Sequence, residues 1–202
     1  STVRALQMHA TELVSRCNTE LKEVCARTDL PQDQLVLEIS RVVDASKVFK
    51  DEVKELRVEA EIRLDELYEI AATDMDSWCH DTSAAPWLLS EILQKYPSSA
   101  YPTDERVVRA RNALQEKLAA TITALSETMY AMVSSTNVAA IDTFLLTHRK
   151  DSELVPEAYR ELQTHRQKLT TSLHTRIKTA LAGEDIWVVS RLISEATDAG
   201  LV

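Results

Sequence analysis

The sequence predicts an all-helical protein, an array in which long and short helices alternate, with a closed helical bundle as the alternative architecture. Three observations lead there. Glycine is scarce: the chain of 202 residues holds two, Gly183 and Gly200, where ordinary usage of about 7% would supply roughly fourteen. β-Hairpins, phosphate-cradling loops and dinucleotide-binding turns lean on glycine, so β-rich, P-loop and Rossmann folds are disfavoured. Apolar residues recur at three- and four-residue spacing along most of the chain, as helices with one buried face require. A short pattern also returns, in "CARTDL", "AATDM", "SSTNV" and "AGEDI": an Asp or Asn followed directly by an apolar residue, at Asp29, Asp74, Asn137 and Asp185.

Taken in order, the elements follow from these patterns. A first long helix carries Val3, Leu6, Ala10, Leu13, Cys17, Leu21 and Val24 as its apolar stripe. Asp29 opens a short helix with Pro31 in its first turn, where a missing N–H costs little, and with Leu35, Ile39, Val42 and Val43 facing inward. Val53, Leu56, Ala60 and Leu64 lead the second long helix; the stretch from Asp51 to Ile70 is amphipathic, with Glu59 and Arg63 at the favourable i, i+4 spacing. Asp74 is expected to cap the next helix, because Asp and Asn side chains accept the orphan N–H bonds of a first turn. From one junction to the next the numbering advances by 45, then 63, then 48. The long middle interval is ascribed to an insertion in the turn-rich "DSWCHDTSAAP" and "YPSSAYP", with the short helix of that unit running from Pro86 through "WLLSEILQKY".

Val107, Ala110, Leu114 and Leu118 lead the third long helix. Asn137 caps a short helix with Ile141, Phe144 and Leu145 at offsets +4, +7 and +8, and Asp185 caps another with Val189, Leu192 and Ile193 at the same offsets. Between them Val155, Ala158, Leu162, Leu169, Leu173, Ile177 and Leu181 mark the fourth long helix. The reading is therefore eight helices in one domain, with approximate units 1–50, 51–102, 103–154 and 155–202, as a piece of a longer protein.

A lone helix pair has an apolar face that it cannot bury, and stacked pairs cover one another. In this respect the chain resembles the α-solenoid class, nearest in period to the armadillo and HEAT repeats of about 40–47 residues. The tetratricopeptide and ankyrin signatures are not in it. The resemblance implies an extended surface that offers itself to another protein. The bundle alternative would instead make a dimerising structural module, a coiled-coil spacer between other domains.

The formal charge of −9 and the pI near 5.1 disfavour nucleic acid and anionic lipid as partners. No apolar run reaches membrane-spanning length, so membrane insertion is not expected. An odd set of three cysteines, Cys17, Cys25 and Cys79, suits a reducing interior; the expected location is cytoplasmic, with cytoskeletal association by analogy to the class.

No residue pattern marks a catalytic or metal centre. "WCHD" (Trp78 to Asp81) supplies three ligand types but no second pair for zinc. Cys17 and Cys25 stand two helical turns apart, Cys79 is expected to be a loop thiol, and Glu161 precedes His165 by four positions rather than the three of di-iron bundles. His165 and His174 read as surface or flank residues, and no GxSxG elbow occurs. The expectation is no enzyme, no catalytic or metal-ligating residue and no cofactor; a metal-dependent helical-bundle enzyme is the third reading.

Aromatic residues gather around the insertion: Trp78, Trp87, Tyr96 and Tyr101. Trp87 and Tyr96 can serve as core. Read functionally, the four form an exposed loop, stiffened by Pro86, Pro97 and Pro102, that anchors a protein partner, since Trp and Tyr are enriched in interface hot spots. The expected function is a protein–protein interaction scaffold or adaptor, in a cytoskeletal or trafficking assembly. Its uncovered terminal edges also offer a route to self-association.

Overall fold

A computed structural model describes residues 2–49, 51–183 and 186–200. The described residues form eight α-helices and one 3-10 turn, with no strand. The helices are α1 (Thr2–Ala26), α2 (Gln32–Ser46), α3 (Lys54–His80), α4 (Pro86–Lys95), α5 (Glu105–Met132), α6 (Val138–Thr147), α7 (Pro156–Ala182) and α8 (Ile186–Asp198), with the 3-10 turn at Arg149–Glu153. The protein is all-α, and its helices alternate long and short. The long ones hold 25, 27, 28 and 27 residues and the short ones 15, 10, 10 and 13.

The helix boundaries correct the spacing read from the junction pattern. Asp74 lies inside α3, which continues through Trp78 and Cys79 to His80. It caps nothing, and Cys79 is a half-buried helical residue, not a loop thiol. The true break is Asp81–Ala85, where the Asp81 carboxylate accepts from the Ser83 backbone at 2.8 Å and from its hydroxyl at 2.7 Å. Counted from helix starts, the long helices α3, α5 and α7 begin at Lys54, Glu105 and Pro156, which are evenly spaced along the chain. The short helices begin at Gln32, Pro86, Val138 and Ile186, a spacing that narrows only slightly toward the end. No insertion is needed in the second unit: the long middle interval arises from anchoring on a residue in mid-helix.

Asp29 also departs from its expected role. α2 has Pro31 as its N-cap and no side-chain cap bond. The Asp29 carboxylate instead pairs with the Arg27 guanidinium through two contacts of 3.2 Å, and Arg27 reaches Glu38 at 2.8 Å. Asn137 does cap α6: its Oδ1 accepts from the Ala140 amide at 2.9 Å. Asp185 lies outside the described residues.

The chain divides into two compact units. One holds Ser1–Ala84 with Leu89–Glu116, the other Ala85–Leu88 with Lys117–Val202. In the first unit α1, α2 and α3 pack against each other in pairs. α2 buries Leu35, Val36, Ile39, Val42 and Val43; α1 buries Cys17, Leu21 and Val24; α3 buries Ala60, Leu67, Ala71 and Met75. The two alanines are fully covered, and their small side chains let the helix axes approach. Gln32 ties α2 to α3 by donating to the Leu67 carbonyl at 2.9 Å. The entry of α5 is held by Asp104, which accepts from the Val107 amide at 3.1 Å. Arg106 reaches from there to Glu69 on α3 at 3.1 Å and also to Asp65.

In the second unit Leu125 and Met129 of α5, Ile141 and Leu145 of α6, and Val155, Ala158 and Leu162 form one core cluster. Leu173 and Ala180 of α7 with Leu192 and Ala196 of α8 form another. The 3-10 turn carries the buried Asp151. One of its oxygens accepts from the Trp87 amide at 2.9 Å, and the other lies 3.0 Å from His148 Nδ1. Trp87 is the second residue of α4, so a carboxylate 64 positions away serves the orphan first turn of that helix.

Candidate protein-interaction surfaces

The aromatic group expected to anchor a partner is largely interior. Tyr96 and Tyr101 are buried, so neither belongs to an exposed loop. Tyr101 is packed edge-on between Tyr68 and Tyr96, with ring centroids 5.8 and 5.9 Å away. The Tyr96 hydroxyl donates to Asp74 at 2.6 Å, and the Lys95 ammonium reaches the same carboxylate at 2.8 Å. Burial pushes the Asp74 carboxyl up, but these two donors outweigh it and hold it below the usual carboxylate range. Asp74 is thus the clasp that fastens the end of α4 to α3.

Burial also drives the Tyr101 phenol far above its ordinary range. Arg111, buried on α5, has Nε and Nη2 without hydrogen-bond partners among the described residues. Burial lowers its pKa, against the opposing influence of Tyr101. Trp78 is half-buried in the last turns of α3. Trp87 is half-buried in the second unit, with the Lys150 ammonium 3.6 Å above its ring. Aromatic clustering in sequence reflects packing here, because large rings are the most efficient way to fill a corner where two helix ends meet.

The exposed apolar surface lies elsewhere. On α8, Ile186 is 80%, Trp187 87% and Ile193 52% exposed. On α1, Leu6 is 65% exposed, and Met8 and Leu13 are exposed with it. Leu6, Leu13 and Ile193 belong to stripes expected to face inward, and the structure corrects that. α1 is covered only from Cys17 onward, and α8 only on its Leu192–Ala196 side. A signal for α8 is present in "IWVVSRLI", where only Ser190 and Arg191 are polar. That is more apolar surface than one helical face can hold, so some of it must point outward.

Beside the covered side of α8 lies a cleft of about 450 Å³ lined by Val138, Leu169, Leu173, Arg176, Arg191 and Glu195, among others. Arg176 and Glu195 bridge α7 and α8 by two contacts, one of 2.8 Å. The Ala139 amide at the start of α6 donates to the Ala199 carbonyl, just past α8, at 3.0 Å. His165 of α7 is half-buried, its Nε2 donating to the Ser135 carbonyl at 2.8 Å, while His174 is exposed.

Comparison of the chain with protein-family models, curated proteins and solved structures finds no match. Among the described residues no three His, Cys, Asp or Glu side chains are placed to hold a metal ion, and no helix is long and apolar enough to cross a membrane.

Proposed function

We propose that the chain is a helical-repeat interaction module, a scaffold or adaptor within a protein assembly inside the cell, of the kind that cytoskeletal and trafficking complexes use. The observation that carries this reading is the exposure of large apolar side chains on α8, Ile186 and Ile193 together with Trp187. Exposed apolar groups of this size on a rigid helix mark contact surfaces, and Trp is among the residues most enriched at binding hot spots. The regular return of long and short helices supports a stack in which each pair needs a neighbour. The acidic balance of the chain, −9, favours protein over nucleic acid as the occupant.

Cross-linking the purified chain in its own cell extract tests the reading. Ile186→Glu with Ile193→Glu should remove the proteins that cross-link to α8 while helicity stays unchanged. An unchanged set of cross-linked partners would rule the α8 face out as an interaction surface.

A further inference from the structure

We infer that the cleft of the second unit, between α7 and α8, is a binding site for a small monocarboxylic acid with an apolar body. The cleft follows from residue spacing. On α7, Leu169, Ser172, Leu173 and Arg176 recur at three- and four-residue intervals, and on α8 Arg191, Ser194, Glu195 and Asp198 do the same. Each set therefore runs along one helical face. Near the middle of each row stands a serine, Ser172 or Ser194, too short to fill the gap between its larger neighbours. Val138, at the start of α6, completes an apolar floor with Leu169 and Leu173. Val138 is buried and Leu173 belongs to the core cluster with Leu192, so the floor is fixed before any ligand arrives. The space of about 450 Å³ falls among pockets that hold small organic molecules, about 300–1,000 Å³.

The charges of the cleft are unevenly used. Arg176 is committed to Glu195 through two contacts, one of 2.8 Å. Arg191 lies four positions before Glu195 on the same face and forms no ion pair among the described residues. The hydrogen bond from Arg176 holds the Glu195 carboxyl below its usual range, opposed by burial and assisted by Arg191. Two guanidinium groups thus serve one carboxylate, and one cation is left over in a chain whose formal charge is −9. A guanidinium is complementary to a carboxylate, which it takes in two parallel hydrogen bonds. Arg166 takes Asp142 in that way, at 2.7 and 2.9 Å, within the same unit. A ligand carboxylate on Arg191 would leave its hydrocarbon part over Val138, Leu169 and Leu173.

Asp198 sets the other limit. It stands two helical turns beyond Arg191, about 10 Å along the axis, and it too forms no ion pair among the described residues. A second carboxylate on the ligand would meet that charge, so the cleft favours a monoacid over a diacid.

Titration of the chain with sodium octanoate, followed by the methyl resonances of Val138, Leu169 and Leu173, tests the site. Octanamide and suberate, of equal chain length, are the neutral and doubly charged comparisons at matched ionic strength. Octanoate should shift these methyls saturably and bind about tenfold tighter than octanamide, and tighter than suberate. Arg191→Gln should weaken octanoate by about tenfold and leave octanamide unchanged, a difference that a merely structural role for Arg191 would not produce. Ser194→Trp, which fills the gap from an exposed position, should abolish binding. Circular dichroism checks that both variants keep wild-type helicity, and the comparison of ligands on the wild type stands even if a variant fails to fold. No saturable shift at millimolar octanoate overturns the inference. So does equal binding of octanoate and octanamide, or octanoate affinity unchanged in either variant. Suberate binding as tightly as octanoate would overturn the limit assigned to Asp198. Neither variant alters Ile186 or Ile193, so the interaction reading is decided separately.

Discussion

α6 and α8 begin from the same arrangement of apolar residues and end in different environments. Both are short helices that follow a long one, and both turn an apolar face toward it. In α6 the arc from Val138 through Ile141 to Leu145 is buried, because α5, α7 and the tail of α8 meet over it. In α8 the cover reaches Leu192 and Ala196, while Ile186 and Ile193, the counterparts of Val138 and Leu145, stay in solvent. The same periodicity thus produces a core helix in one place and a half-exposed one in the other. The difference lies in what each helix is given to pack against.

That comparison can be broken or sharpened by substitution. The largest effect should come from Ile141→Ala, which empties a fully buried site and should cost about 3 kcal/mol in chemical denaturation. Next is Gly200→Ala. The residue has φ of 73° and the added Cβ would strike Ala139, so a loss of about 2 kcal/mol is expected. Faster hydrogen exchange at the Ala139 amide, which bonds to Ala199, should accompany it. Val189→Ala, at the α8 position matched to Ile141 and half-buried, should cost about 1 kcal/mol; a loss equal to that of Ile141→Ala would mean that α8 is as covered as α6.

Asn137→Ala removes the side-chain bond to the Ala140 amide and should likewise cost about 1 kcal/mol. Smallest of all, Ile193→Ser should change the stability of the monomer by less than about 0.5 kcal/mol, although its counterpart Leu145 lies in the core. A large loss there would show that α8 is covered within a single copy.

Much of the helical pattern was legible because it is local. The starts of α4 and α6, the Asn137 cap and the inward stripe of α2 all follow from i, i+3 and i+4 relations inside one segment. Asp74 shows where that legibility ends. An Asp before an apolar residue reads as a cap, but here the dipeptide lies within α3, and its partners Lys95 and Tyr96 come from the far end of α4. Asp151 shows it again: its use, the first turn of α4, is supplied by a segment 64 positions earlier. The aromatic group misled for a related reason, since rings that fill a corner and rings that anchor a partner have the same local sequence.

By itself, the sequence determined that this protein is all-helical, that long helices alternate with short ones, and which residues form each apolar stripe. Hydrogen bonds within one segment and the α-helical period decide those features. Only the tertiary structure decided how much of each stripe is covered, which carboxylates serve distant helices, and that Trp187 rather than Tyr101 faces solvent. Burial depends on the second surface brought against the first, and that surface comes from elsewhere in the chain.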